Sequence, residues 1–229
     1  DKMDTIVGSF GIGLIPTGTA DPFGLRRQAL GIIRIILEKR YVLSLVELIE
    51  ESGKLLKDKL GRSFAEVKAE VLDFFRTRYQ YLLLDKGYPF DVVDSVISIS
   101  FDDLLDVQHR IDALRVAREW EDFGSIVIGS KRAMNILKGT SSKEEVRPSL
   151  FNTPEEQRLY QSFLEAKKRI ELHLKQKAYE AALLEMTKMR HPIDGFFDKV
   201  MVMVEDEPLR NNRLALLDRI GKIFLRIAD

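Results

Sequence analysis

Basic and amide side chains recur at helical spacing in the stretch KRAMNILKGTSSKEEVR, which covers residues 131–147. Lys131, Asn135 and Lys138 are separated by four and three positions, so one face of an α-helix would present all three. Lysines at this spacing suit the phosphates of a nucleic-acid backbone, and an amide can bond to the edge of a base. The pattern predicts an anion-binding surface; a merely solvated helix face remains the alternative.

Two arginines, Arg132 and Arg147, extend the positive charge of this stretch. Lys143 adds to it, and Glu144 offsets part of it. Residues 139–152 are polar and rich in glycine and serine, which predicts a linker or mobile loop. A helix end that meets such a loop is a common setting for binding residues.

A second group of cations, Arg26, Arg27 and Arg34, follows a loop rich in glycine and proline, FGIGLIPTGTADPFG, at residues 10–24. The helix predicted after this loop is apolar on most faces and is therefore expected to be buried. Arg27 and Arg34 lie seven positions apart and share a helix face. We predict that these arginines make structural contacts between domains; binding of an anionic partner is the alternative.

No pattern of catalytic residues is visible. The three histidines, His109, His173 and His191, lie far apart and fit no metal-binding spacing. The chain has no cysteine, which excludes disulfides, a thiol nucleophile and cysteine-ligated metals. The acidic run from Asp102 to Asp106 is explained by the preference of a helix N-terminus for carboxylates. The sequence predicts no catalytic residue and no metal ligand, and hence a chain that is non-catalytic by itself.

Three aromatic residues, Tyr79, Tyr81 and Trp120, have side chains that can stack on unpaired bases. The two tyrosines lie beside the apolar run at residues 82–84, which favours a place in the core. We therefore assign them no binding role at this stage.

The charge of the chain is balanced. Its 229 residues include 36 lysines and arginines and 36 aspartates and glutamates. An anionic partner must therefore be met by a local patch and not by the whole surface. No apolar run reaches the length of a membrane span, and the lack of cysteine fits a cytoplasmic protein. Because the chain starts inside a helical pattern, we interpret it as a piece of a longer protein.

Helical periodicity dominates the chain and predicts an all-α fold of antiparallel helices joined by short turns. Start signals are Asp21 before Pro22, Ser63 with Glu66, Ser100, and Thr153 with Glu156. Pro192 is expected to separate two helices near the C-terminus. Helices are predicted at about residues 1–10, 22–51, 64–86, 91–99, 101–120, 124–137 and 154–175, with later ones from about 178, 193 and 210.

Long blocks of the sequence resemble one known family. Residues 1–35, DKMDTIVGSFGIGLIPTGTADPFGLRRQALGIIRI, closely resemble the signature of the beta subunit of the bacterial two-subunit glycyl-tRNA synthetases. Residues 112–115 read DALR, which resembles the motif of a helical anticodon-binding domain also found in arginyl-tRNA synthetases. KRAMNIL at 131–137 and VMVMVEDEPLRNNRLALLDRI at 200–220 resemble later blocks of the same subunit.

The resemblance implies a domain order and a division of labour. Residues 1–60 would be the end of an HD-like helical domain, and residues 61–229 a DALR-like anticodon-binding domain. The chain would be the non-catalytic, tRNA-binding part of glycine-tRNA ligase. Its partners would be tRNA-Gly and a separate alpha subunit in an alpha2beta2 enzyme. ATP and Mg would be used by the holoenzyme through that alpha subunit, with no cofactor in this fragment.

The resemblance also extends the set of candidate residues. Arg115 of the DALR motif joins the cations of residues 131–147 as a candidate tRNA contact, although Asp112 three positions earlier suggests an intrahelical pair. Asp1 stands where HD-type hydrolases have a metal ligand, but the other ligands of that site are missing from the chain. For Arg26, Arg27 and Arg34, contact with a tRNA stem is the alternative to a structural role. An HD-type phosphohydrolase fragment and a purely structural assembly domain remain competing hypotheses.

Overall fold

The computed structural model describes residues 1–138 and 145–229, and in these ranges it contains α-helices and short 3-10 turns but no strand. The predicted all-α fold is confirmed. Residues 139–144, which include Lys143 and Glu144 and much of the predicted linker, lie outside the described residues. The α-helices are α1 (Lys2–Gly11), α2 (Leu25–Lys39), α3 (Leu45–Leu55), α4 (Phe64–Asp85), α5 (Phe90–Ile97), α6 (Leu104–Ala117), α7 (Phe123–Ile136), α8 (Pro154–Lys175), α9 (Tyr179–Thr187), α10 (Arg190–Lys199) and α11 (Glu207–Phe224), with 3-10 helices at Lys57–Lys59 and Pro148–Leu150.

The chain forms two compact units, residues 1–111 and residues 112–229. Helix α4 packs against α1, α2 and α3 and so belongs to the first unit. The compact units thus divide at a different place from residues 60 and 61. The boundary between an HD-like and a DALR-like domain concerns domain families and stays a prediction.

In the first unit, α1 lies among α2, α3 and α4. Its buried residues Ile6, Val7 and Phe10 recur at the three-to-four-residue spacing of one helix face. Phe10 meets the ring of Phe74 on α4 at a centroid distance of 5.2 Å. Tyr79 of α4 is fully buried, as expected, and its hydroxyl donates to Gln108 at 2.8 Å. The same expectation is wrong for Tyr81, which is 62% exposed. Burial of these apolar surfaces is the main source of this unit's stability.

The single helix predicted over residues 22–51 is wrong, because two helices occupy this range. Helix α2 ends at Arg40, which has a left-handed backbone with φ 54°. Helix α3 starts after Ser44, whose hydroxyl oxygen accepts from the N–H of Glu47 at 3.0 Å. Asp102, far along the chain, accepts from the Ser44 hydroxyl and the Val46 N–H at 2.8 and 2.9 Å. Ser44 and Glu47 match the capping-box pattern, so this start signal was present in the sequence and was overlooked; only the contribution of Asp102 has no local signal.

Helix α2 is also less buried than predicted. Only one stripe, Leu25, Ala29, Ile33 and Ile36, is buried, and Ile35 is 49% exposed. Because isoleucines also occur outside the buried stripe, the sequence looks apolar on most faces and did not predict this amphipathic arrangement.

Several predicted start signals need correction in detail. Asp21 does accept from the N–H groups of Leu25 and Arg26, but the helix starts at Leu25 and not at Pro22. Helix α4 follows Ser63, although the Ser63 side chain makes no capping hydrogen bond.

The cap of α6 is Asp103 and not Ser100. The Asp103 carboxylate accepts from the N–H groups of Leu105 and Asp106 at 3.1 Å each. Pro192 lies inside the first turn of α10, where the helix needs no N–H donor, and does not precede the helix.

In the second unit, α8 packs against α9, α10 and α11. It starts with the predicted capping box between Thr153 and Glu156. Its predicted apolar stripe is buried as a whole: Leu159, Phe163, Ala166, Ile170 and Leu174.

Helix α7 packs against α10 and α11, and two glycines allow the close approach. A Cβ atom at Gly129 would lie 2.7 Å from Ile193 of α10, and one at Gly221 would lie 2.5 Å from the sulfur of Met134. These contacts fix the rotation of α7 about its own axis and therefore decide which of its faces is exposed.

Candidate nucleic-acid interface

The exposed face of α7 carries the predicted anion-binding residues. Ala133 points into the unit, while Lys131, Asn135 and Lys138 are all exposed. None of these three side chains forms an ion pair or a hydrogen bond with residues 1–138 or 145–229. Lys131 and Asn135 lie on α7, whereas Lys138 lies two residues after its end, so the common face of all three stays a prediction. The polar groups of the three side chains are exposed.

Arg132 lies beside this face and is held by an aromatic ring. Its guanidinium carbon is 4.4 Å from the ring centroid of Phe197 on α10. Stacking on a ring uses the flat face of the guanidinium and leaves its N–H edge free to bond to phosphate. The arrangement therefore orders an exposed cation without neutralising it.

Arg147 is placed by its backbone. Its N–H donates to Oδ1 of Asn212 at 2.7 Å, and its carbonyl accepts from Nδ2 of Asn212 at 3.0 Å. Asn212 is only 1% exposed, on α11. This buried amide pins the backbone of an exposed arginine to the central helix of the unit.

A buried ion pair between Glu156 and Arg213, the residue after Asn212, stabilises the same region. Arg213 and Glu156 are 4% and 0% exposed, and Nε of Arg213 donates to Glu156 at 2.8 Å. The other two nitrogens of the guanidinium donate to the Met201 carbonyl at 2.8 Å and to the Asn152 side chain at 2.7 Å. One guanidinium thereby joins the start of α8, the segment after α10, and α11.

The carboxyl group of Glu156 is ionised at neutral pH. Burial acts to raise the pKa of Glu156, but hydrogen bonds from Arg213, Thr153 and the Asn152 N–H outweigh it and lower that pKa below its usual value. Asn212 and Arg213 were missed as site-forming residues. Their one signal is a run of four polar residues, 210–213, directly before the apolar run at 214–217.

In the first unit, Arg26 closes the glycine-rich loop by donating to the Gly18 carbonyl at 2.9 Å. Arg27 and Arg34 are exposed, and neither pairs with an acidic side chain in the part of the chain that the structure describes. Arg115 is exposed on α6. The roles predicted for these four arginines, and the pairing of Arg115 with Asp112, stay predictions.

Within the described ranges, no three His, Asp or Glu side chains are grouped so that they could hold a metal ion. Nε2 of His109 lies 3.3 Å from a terminal nitrogen of Arg40. In the sequence, His109 is far from His173 and His191. The described helices include none with the length and apolar character needed to cross a membrane.

Two family models match the chain, one in each compact unit. The model of the glycyl-tRNA synthetase beta subunit matches residues 1–98, and that of the DALR anticodon binding domain matches residues 126–227. The second match includes the exposed cations of α7 and Arg147, while Arg115 lies outside it.

Whole sequences agree with these matches. The chain is 46% identical over 229 residues to the glycine-tRNA ligase beta subunit of Syntrophus aciditrophicus and to that of Citrifermentans bemidjiense. It is 44% identical to the same subunit of Geotalea uraniireducens. In each comparison all of this chain is covered, and it spans about a third (33%) of the relative's length.

Proposed function

We propose, from the premise that the chain belongs to the family of glycyl-tRNA synthetase beta subunits, that it is the part that binds the anticodon region of tRNA-Gly. The observation that carries the proposal is the α7 face. It lies within the residues matched by the anticodon-binding model and presents lysines that no described residue neutralises. The same observation favours binding over a purely structural domain, and the relatives named above favour it over a phosphohydrolase.

The side chains on and beside α7 bind different parts of the tRNA according to their chemistry. Lys131, Lys138 and the stacked Arg132 bind phosphate oxygens as donors and as charges. Asn135, between the two lysines, donates to or accepts from a base edge or a ribose hydroxyl. Arg147, pinned through its backbone, adds a cation at the other end of residues 131–147. Anticodon loops suit such a surface because their bases are splayed and reachable.

In the holoenzyme, this chain positions tRNA and does not activate glycine. Glycine activation uses ATP and Mg in the separate alpha subunit, and we place the complex in the cytoplasm as alpha2beta2.

The test compares tRNA-Gly binding by the 229-residue chain and by a Lys131→Ala/Lys138→Ala variant, as a function of salt. Each phosphate contact that is lost should make the negative slope of log K against log salt concentration shallower by about 1, so we expect a change of about 2. Because this electrostatic contribution vanishes near about 1 M salt, binding near about 100 mM salt should be weaker by roughly 100-fold.

The matched control is Lys57→Ala/Lys59→Ala, which removes two exposed lysines from the first unit. Its binding should stay close to that of the unchanged chain. Equal weakening by both double variants would mean that only general charge attracts tRNA. Absence of tRNA binding at low salt would instead support the purely structural domain.

A further inference from the structure

Helix α4 carries a ladder of three side chains outside the α7 surface. Phe74, Arg78 and Tyr81 are four and three residues apart and share one helix face. The guanidinium carbon of Arg78 is 5.5 Å from the ring centroid of Phe74 and 5.3 Å from that of Tyr81. Arg78 is therefore held between two aromatic rings.

The donors of Arg78 have no acceptor. Within residues 1–138 and 145–229 its side chain makes no hydrogen bond and no ion pair, and its Nε is buried without a partner. Unmet donors of a buried charged group raise the free energy of the folded state, so most native arginines have acceptors. Arg78 as a whole is half-buried, so the unmet donor is Nε, while the guanidinium is held in place by the two rings.

Two carboxylates lie along this stripe of α4, and neither pairs with Arg78 within the described residues: Asp85 is exposed four residues after Tyr81, and Glu70 is paired with Arg62. Glu70, four residues before Phe74, accepts from both terminal nitrogens of Arg62 at 2.7 and 2.8 Å. That hydrogen bonding lowers the pKa of Glu70, so the carboxylate stays ionised and paired. Arg62 thus has a bidentate carboxylate partner, whereas among the described residues Arg78 contacts only aromatic rings.

The two ends of the ladder also differ. Phe74 packs on Phe10, which is 2% exposed, so the inner end is anchored in the core. Tyr81 is 62% exposed, so the outer end is open to solvent. A planar group can continue the stack there without displacing any side chain.

We propose that Arg78 and Tyr81 form a second RNA contact, which takes an unpaired nucleotide. The base stacks on the open side of Tyr81, and the phosphate accepts from the terminal nitrogens of Arg78. Aromatic and guanidinium planes are the usual platforms for unstacked bases, and a fixed guanidinium fork suits a phosphate. An acidic protein segment would satisfy Arg78 but has no use for the open ring, so the ladder favours RNA. The site lies in the first unit and needs none of the α7 residues.

The experiment uses the 229-residue chain and a fluorescein-labelled single-stranded RNA of about twelve nucleotides, a length within the range that such sites cover. The RNA contains 4-thiouridine, so that a bound base can be crosslinked by light and located on the chain. Loss of one base stack should weaken binding about 5-fold or more in Tyr81→Ala, while Tyr81→Phe should stay within about 2-fold. Arg78→Lys keeps the charge but loses the flat fork, and it should weaken binding to a similar extent as Tyr81→Ala.

The control is Phe90→Ala, which removes an aromatic residue that is 58% exposed and has no stacked guanidinium. Its binding should be unchanged, and thermal unfolding of each variant shows that the fold persists. Equal binding by Tyr81→Ala and Phe90→Ala, or no crosslink at Tyr81, would overturn the proposal. So would an oligoglutamate peptide that competes with the RNA in the unchanged chain as strongly as unlabelled RNA does.

The α7 variant Lys131→Ala/Lys138→Ala distinguishes this proposal from the anticodon-binding function. It should retain the crosslink at Tyr81 even where its tRNA affinity falls. Loss of the Tyr81 crosslink in that variant would show that the ladder is not an independent site.

Discussion

Glu156 and Arg213 show how a single buried ion pair positions the segments around a candidate binding surface that includes neither residue. Their attraction does not by itself make the unit more stable than an apolar pair would, because both charges are removed from water. The pair instead fixes the positions of separate segments, because Arg213 on α11 donates to the start of α8 and to the segment after α10. Loss of either partner would leave a buried charge without compensation.

At the residue scale, this pair predicts a specific dependence of stability on pH. The folded pKa of Glu156 is lowered, so the unfolded state binds the proton more readily. The stabilisation is complete above the unfolded pKa of about 4.3 and is lost as pH falls through the lower folded pKa. In Glu156→Gln, the free energy of unfolding should therefore fall less steeply with acid below about pH 4.3 than in the unchanged chain.

Urea unfolding between about pH 3 and pH 7 measures this difference. Glu165→Gln is the control, because Glu165 lies exposed on the same helix. Its pH profile should follow that of the unchanged chain. Parallel profiles for Glu156→Gln and the unchanged chain would contradict the assignment of acid sensitivity to Glu156.

At the element scale, the binding face depends on how α7 is rotated. Lys131, Asn135 and Lys138 share a face in any α-helix, but only the packing of Gly129 against Ile193 turns that face outward. The distance of 2.7 Å from a Cβ at Gly129 to Ile193 leaves no room for a methyl group. A glycine here is required by close approach between two helices.

Gly129→Ala should destabilise the second unit by about 1–3 kcal/mol through overpacking, despite the better helix propensity of alanine. Because α7 must shift, tRNA binding should also weaken although every cation is still present. Gly195→Ala on α10 is the matched control, since a Cβ there meets nothing within 4 Å. That variant should be neutral or slightly more stable. Thermal unfolding and tRNA titration of both variants test the prediction, which fails if their effects are equal.

Element boundaries also show where local signals were sufficient. The Thr153 and Glu156 capping box and the stripe from Leu159 to Leu174 were predicted correctly, because both depend on residues within a few turns of one helix. The break between α2 and α3 was missed although Ser44 and Glu47 gave a local start signal, because the apolar pattern continues across the break. Only the part of the α3 cap that Asp102 supplies from 56 residues away lacks a local signal. The cap of α6 was misassigned for a smaller reason, since Asp103 competes with Ser100 for the same role.

At the scale of the whole molecule, equal numbers of acidic and basic residues are combined with local surfaces of one sign. Under the proposed function, such a chain binds RNA through local surfaces and not through its net charge. Each compact unit carries its own candidate RNA contact, α7 in the second unit and the α4 ladder in the first.

The division of labour predicts a footprint. The complete ligase should protect the anticodon loop of tRNA-Gly from cleavage, and a beta subunit shortened by residues 112–229 should lose that protection while the alpha subunit still forms glycyl adenylate. Nuclease probing together with an adenylate assay measures both. Anticodon protection that survives the truncation would place the contact outside the second unit.

The sequence by itself determined the all-α class, most helix positions and the spacing of the cations on and after α7. These features depend on residues close together in the chain, where helical spacing and capping chemistry act. Tertiary structure alone decided that Glu156 meets Arg213, that Asn212 pins Arg147, and that Arg62 has a carboxylate while Arg78 has none. The physical reason is that the role of a charged side chain depends on the hydrogen-bond partners that packing brings to it. Glu156 and Arg213 are separated by 57 residues, so packing of the helices selects their pairing.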